Sequence, residues 1–161
     1  MTAAPPTHGR QGVHYLDDLQ VGQRFVSASR TVTEADVVAF AGLSGDFNQI
    51  HTDVEFAAKS VYGKRVVYGL LGLSIATGLL DRLGIFSGSA MAMLGIDEWK
   101  FLAPVFIGDT VHLELEILGV RPSRSKPDRG IVERHFELIN QHGEICQAGR
   151  IDVLVRRHPA G

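Results

Sequence analysis

Val66-Val67-Tyr68-Gly69-Leu70-Leu71-Gly72-Leu73-Ser74-Ile75-Ala76-Thr77-Gly78-Leu79-Leu80 is a run of fifteen residues without a charge, bounded by Arg65 and Asp81. A helix that spans a bilayer needs roughly 20 residues, so the run reads as a helix apolar on nearly every side and enclosed by protein. Three glycines lie inside it, and each costs about 0.8 to 1 kcal/mol of helix propensity relative to alanine. Close packing must offset that cost, because a glycine on a helix surface lets a sheet or a second backbone approach. At the helix start, Gly69 also offers an N–H to a ligand oxygen.

Downstream the pattern changes from helix to strand. Residues 91–102, 110–119, 131–140 and 145–156 are rich in Val, Ile, Leu and Phe. His112-Leu113-Glu114-Leu115-Glu116-Ile117 alternates with period two, which implies one wet face and one dry face. Pro104 with Gly108-Asp109, then residues 122–130, then Asn140-Gln141-His142-Gly143 mark the turns. Short connections between consecutive strands favour an antiparallel meander, and its dry face needs a partner. The fifteen-residue helix is that partner. Upstream, residues 24–32 form a strand and residues 34–43 a short helix, with Thr33 and Asp36 as a capping box and Val37, Phe40 and Ala41 as an apolar face. The expected class is α+β, with one curled antiparallel sheet wrapped around a central buried helix.

Between the two helices lies Gly45-Asp46-Phe47-Asn48-Gln49-Ile50-His51, followed by Asp53. A carboxylate, a carboxamide and an imidazole fall within six positions, in a segment whose small and polar residues break the apolar pattern. Such residues are also ordinary turn formers. Together, however, an Asp and a His can hold a water and move protons at neutral pH, because imidazole ordinarily titrates near pH 6.5.

The segment Ser44 through Asp53, with Phe56-Ala57, Gly63 and Val67-Tyr68-Gly69-Leu70-Leu71, resembles the MaoC-like, R-specific enoyl-CoA hydratase family of the hot-dog fold. Phe101-Leu102-Ala103-Pro104-Val105-Phe106-Ile107-Gly108-Asp109-Thr110-Val111 is similar to a second signature of that family. The resemblance runs over residues 15–155. It implies hydration of a trans-2-enoyl-CoA to an (R)-3-hydroxyacyl-CoA, or the reverse dehydration, with no metal or redox cofactor and with coenzyme A present only as part of the substrate. By match to the family motif, Asp46 and His51 are the catalytic pair and Asn48 helps to orient it. Gly69 matches the position whose backbone N–H stabilises the enolate oxygen, the kind of preorganised donor that often dominates catalysis. Tyr68, beside it, stands where the family often has His, and Gln49 where it usually has Pro, which leaves the loop with neither a fixed φ nor a missing N–H. Thr77 falls where some members carry a hydroxyl near the substrate, although a helical threonine commonly bonds its own backbone. The resemblance also implies a homodimer or higher homo-oligomer, with the acyl tunnel near the subunit boundary. Two other functions use the same fold: hydrolysis of the thioester, and acyl-thioester binding without turnover.

Composition bounds the remaining possibilities. The chain has 161 residues, 45% hydrophobic and 21% charged, which suits one domain over residues 14–157 with flexible tails at 1–13 and 158–161. A net charge of −2 gives no general pull toward nucleic acid or membrane. The single cysteine, Cys146, excludes an internal disulfide and reads as a small buried residue. Residues 1–13 are polar and carry no apolar signal segment, so cytoplasmic residence is the expectation. Gly63-Lys64 lacks the Ser/Thr and the upstream glycine of a phosphate loop, and neither Gly-x-Ser-x-Gly nor Gly-x-Gly-x-x-Gly occurs. His51, Asp53 and Asp46 lack the His-x-x-x-His or cysteine company of a metal site. Arg121, Arg124, Lys126 and Arg129, with Lys64, Arg65 and Lys100, are the basic residues available to coenzyme A phosphates. Trp99 is expected in the core or an interface.

Overall fold

The computed structural model describes residues 5–159. Strand β1 (Thr7–His8) precedes β2 (Arg24–Val26) and β3 (Arg30–Thr31), then come helices α1 (Glu34–Ser44), α2 (Gln49–Thr52), α3 (Val54–Ala58) and α4 (Gly69–Leu83), and last β4 (Ala90–Phe101), β5 (Thr110–Pro122), β6 (Arg129–Ile139) and β7 (Ile145–Arg156). One seven-stranded sheet runs β1-β2-β5-β6-β7-β4, with β3 off this path against β5. Every pairing is antiparallel except that of β1 with β2. The curled sheet around a central helix is the architecture implied by the hot-dog resemblance.

Alternation in the strands decides which side closes on α4. Val111, Leu113, Leu115 and Ile117 of β5, Val132, Phe136 and Leu138 of β6, and Ile151, Val153 and Val155 of β7 are buried in one cluster with Leu71, Ile75, Ala76, Leu79 and Leu83 of α4. Burying a side chain of this size stabilises by about 1.5 to 3 kcal/mol, so the helix seam contributes substantially to tertiary stability. The glycine argument holds at Gly72: a Cβ there would lie 2.1 Å from Gln147 Nε2, so the bare backbone is what leaves room for this β7 side chain.

The central helix is displaced from its expected span. It begins at Gly69, because Val67 donates its N–H to the Val105 carbonyl (2.8 Å) and Val66 bridges to Phe106, which keeps both residues extended. It continues past Leu80 to Leu83, where Gly84 at φ +78° ends it. Asp81 and Arg82 are exposed on the outer stripe, so the first charges beyond the apolar run mark a wet face and not a helix end. The expected strand over 24–32 is divided into β2 and β3. At the division Ser27 Oγ accepts the Leu113 N–H (2.9 Å), a side chain standing in for the ladder.

The capping box forms as expected, with Asp36 Oδ2 accepting the Thr33 N–H (2.8 Å). Thr7 and His8 pair with β2, and the N–H groups of Gln11 and His14 reach the carbonyls of Leu83 and Ile85 (2.7 Å each), so residues 5–13 lie across the end of α4. At the other end, His158 hydrogen-bonds to Asp18 Oδ1 (2.9 Å) and packs on Tyr15. The remainder of the two expected tails, residues 1–4 and 160–161, lies outside the described residues. Cys146 is buried, which pushes its thiol up to about 11. No helix among the described residues is long and apolar enough to cross a membrane.

Candidate active site

Gly45 closes α1 at φ +74°, a left-handed conformation that turns the chain sharply and that glycine adopts without strain. Beyond it a ladder of short side-chain bonds holds the loop. The Asp46 N–H donates to Ser44 Oγ (3.2 Å), the Asn48 N–H to Asp46 Oδ1 (3.0 Å), and the Ile50 N–H to Asn48 Oδ1 (3.2 Å), which makes Asn48 the N-cap of α2. Gln49 is the first residue of that helix. Its N–H has no intrahelical acceptor to find there, so a proline would sacrifice nothing, and the Asp46 and Asn48 turns supply the restraint that a proline ring would. Asp53 is occupied in capping α3, accepting the Phe56 N–H (2.9 Å).

His51, the third residue of α2, is oriented from two sides. Its Nδ1 lies 2.8 Å from the Val66 carbonyl oxygen. A carbonyl only accepts, so Nδ1 carries the proton, and in the neutral ring Nε2 keeps a free lone pair. The ring also stacks on Tyr68 at 3.9 Å between centroids, and Tyr68 in turn packs on Phe40 at 5.1 Å. The Tyr68 hydroxyl donates to the Asp46 backbone carbonyl (2.6 Å). Burial, and after it the Asp46 charge, raises the Tyr68 phenol above its ordinary range, so it stays a protonated donor at neutral pH. Tyr68 therefore ties together the two residues that the motif singles out: its ring fixes His51 and its oxygen fixes the Asp46 backbone.

A cavity of about 580 Å³ opens beside this arrangement, lined by His51, Gly69, Leu70, Phe101, Leu102 and Gln147 among others. Gly69 is the first residue of α4, so its N–H belongs to the four that an α-helix leaves without an internal acceptor. A Cβ on Gly69 would fall 2.6 Å from the Phe101 ring, so the bare backbone is what keeps that corner open. Asp46 is exposed and is not part of the cavity lining. Thr77 is not brought to this cavity. Its Oγ1 donates to the Ser74 carbonyl (2.8 Å) in its own helix, and its side chain lines a second cavity farther along α4.

One lining residue, Gln147, lies outside both family signatures, whereas Phe101 opens the second of them. Gln147 is buried, donates from Nε2 to the Gly69 carbonyl (3.1 Å) and accepts from Trp99 Nε1 (3.2 Å), so it pins the first turn of α4 to β7 and β4. Its position in the inward row of β7, ahead of Gly149, Ile151 and Val153, was the available clue. Phe101, at the end of β4, supplies an apolar wall. Trp99 is half-buried against Phe136, as expected of a core residue. Of the basic residues considered for phosphate, Arg65 pairs with Glu34 (2.8 Å) and Arg129 with Asp128 (2.7 Å).

Residues 18–136 match the family described as MaoC like domain. The chain is 37% identical over 131 residues to the (R)-specific enoyl-CoA hydratase of Aeromonas caviae, covering 81% of this chain and 91% of that one. It is 40% identical over 101 residues to Protein MaoC of Klebsiella aerogenes, covering 63% of this chain but only 30% of that protein. Among solved structures, the monoamine oxidase regulatory protein from Archaeoglobus fulgius superposes with a TM-score of 0.84 at 36% identity, covering 94% of this chain and 99% of the other. The family match takes in well over half of the sequence, including the loop, the central helix and strands β2 to β5: this chain belongs to the MaoC-like domain family.

Proposed function

We propose that the chain is a hydro-lyase that adds water across the double bond of a trans-2-enoyl-CoA to give an (R)-3-hydroxyacyl-CoA, or runs the reverse dehydration. The observation that carries this reading is the Nδ1 bond of His51 to the Val66 carbonyl, which leaves Nε2 as a base at the wall of an apolar cavity. In the forward direction Nε2 takes a proton from a water at the cavity wall, which the Asp46 carboxylate reaches by turning in from its exposed position on the loop, and the resulting hydroxide bonds to C3. The C2=C3 electron pair moves toward the thioester, whose oxygen becomes an enolate facing the Gly69 N–H. A proton from the same pair then reaches C2, on the face from which the water came. Asn48 shapes the loop that carries both side chains. No electron is transferred, so the route calls on no redox group.

The assembled protein is a homodimer or larger in this reading. Edge strand β4 is paired on one side only, with β7, and exposes Met93, Ile96 and Phe101. Such an edge is a template for a second copy, and pairing across it would enclose the cavity that holds His51. Monomer at micromolar concentration in sedimentation would reject this part.

The deciding assay follows crotonyl-CoA and longer enoyl-CoA thioesters in parallel for enoyl absorbance and free thiol. Loss of absorbance with the thioester intact is expected. Release of thiol would instead make the chain a thioesterase, and binding without either change would make it a passive acyl-thioester binder.

A further inference from the structure

Arg134 is a buried cation with no carboxylate partner among the described residues. It sits in the inward row of β6 between Val132 and Phe136, both fully buried, and is itself only 3% exposed. Its Nε–H donates to the Ile151 carbonyl (2.9 Å), and among the described residues it makes no other hydrogen bond and no ion pair. Phe86 and Phe136 stand 5.0 and 5.1 Å from the guanidinium carbon and cover it with aromatic surface. Asp152, the acid that most influences it, is bound by Arg150 through two bonds of 2.8 and 2.7 Å on the wet side of β7. The terminal N–H groups of Arg134 are left with one outlet, the second cavity.

That cavity holds about 340 Å³ and is lined by Thr77, Phe86, Met91, Met93, Arg134 and Phe136 among others. Asp81 also contributes to its wall, but it is exposed and does not pair with Arg134. Both cavities lie on the seam between α4 and β7. Gly69 to Thr77 is eight residues of helix, about 12 Å, and Gln147 to Ile151 is four residues of strand, about 13 Å. Thr77 and Ile151, which line the second cavity with Arg134, thus stand about equally far along the seam from the first cavity.

A buried charge without a partner is strongly destabilising, and a methionine of similar length would pack the same space without that cost. Burial lowers the arginine to about 10, so it remains charged at neutral pH. A planar fork of donors in the wall of a largely apolar cavity matches a carboxylate in charge and in geometry.

Resting on the hydratase reading above, we infer that Arg134 recognises a carboxylate at the far end of the acyl chain, so that the preferred substrates are enoyl-CoA thioesters of dicarboxylic acids.

The test compares trans-2-enoyl-CoA substrates of six to twelve carbons that end in a carboxylate with methyl-ended analogues of equal length. In the parent protein, kcat/KM should favour the carboxylated member by at least tenfold at the best length. Arg134→Met should reduce that ratio at least tenfold, mainly through KM, since the contact is made equally in ground and transition states. Arg134→Lys, which keeps the charge without the fork, should fall between. The apo Arg134→Met protein should melt no lower than the parent. Saturated acyl-CoA pairs, measured by calorimetry, give the same comparison without chemistry. If no enoyl-CoA turns over but the carboxylated ligand still binds more tightly by way of Arg134, the hydratase reading fails and the subsite stands. Equal affinity for both ligands in the parent, or an equal loss for both in Arg134→Met, would overturn the inference. So would inhibition by free suberate that vanishes in Arg134→Met while both acyl substrates are treated alike, because the site would then serve a separate effector.

Discussion

The two cavities along α4 are built by different means. At the Gly69 end, polar groups are supplied by a loop and held by many short bonds: Asp46, Asn48 and Ser44 brace the backbone, and Tyr68 and the Val66 carbonyl fix one imidazole. At the Thr77 end, one buried charged group stands on a strand among aromatic and sulfur-bearing side chains with one hydrogen bond, and the other charge in the wall, Asp81, is exposed. A loop permits several functional groups to converge, at the expense of a long list of supporting contacts. A strand offers one inward position in every two, and its neighbours in the row are core. The first arrangement suits chemistry that moves protons, whereas the second suits recognition of a ligand by shape and one charge.

The largest expected effects test the polar end. Asp46→Asn and His51→Ala should each lower kcat by about 10²-fold or more with secondary structure retained, the usual contribution of a general acid or base. Rates within a fewfold of the parent in both variants would remove this end from the chemistry. Glycine substitutions separate packing from opening. Gly72→Ala should lose roughly 1 to 3 kcal/mol of stability in denaturant unfolding, because the new Cβ would collide with Gln147 and push it off the Gly69 carbonyl. Gly69→Ala meets the exposed Phe101 ring, which can swing aside, so its effect should appear in kcat/KM more than in melting. Equal melting losses for the two variants would deny that distinction.

Smaller still is the effect of Tyr68→Phe. It keeps the ring against His51 but removes the bond to the Asp46 carbonyl, a bond of ordinary net worth, about 0.5 to 1.5 kcal/mol. A kcat decrease of about 3- to 10-fold is expected, without the collapse predicted for a missing acid or base. A change as large as that of His51→Ala would mean that the phenol itself takes part in proton transfer.

Much of the fold was legible because its signals are local and repeat. The period-two stretch 112–117 is β5, the Thr33 and Asp36 box starts α1, and the uncharged run lies in the central helix. The limits of that helix were not legible from charge, since Asp81 and Arg82 sit on its wet stripe and the valines at 66 and 67 are captured by a neighbouring segment. The loop residues stood out as a cluster. Arg134 did not, because Glu133-Arg134-His135 is three polar residues in succession, although Val132, Phe136 and Leu138 set the inward phase of β6 in which it lies. Gln147 is concealed in the same way, next to Cys146, where two consecutive buried residues break the alternation of β7.

The least effect, and the sharpest check on the apolar end, comes from Ser89, which is fully buried just before the lining residue Ala90. Its backbone is satisfied on both sides: the N–H donates to the Phe86 carbonyl (3.2 Å) and the carbonyl accepts the Arg156 N–H (2.9 Å). Its hydroxyl alone has no hydrogen-bond partner among the described residues. An unpaired buried hydroxyl is destabilising by about 1 kcal/mol or more, while deleting one oxygen leaves a void smaller than a methyl group. Ser89→Ala should therefore raise Tm by about 2 to 4 °C for a chain of this size. It should leave the ratio between carboxylated and methyl-ended substrates where the parent has it, because the charge that reads the ligand is on Arg134. A loss of stability would mean that the hydroxyl finds a partner in the assembled protein, and a shift in the ratio would make Ser89 part of the recognition surface beside the arginine.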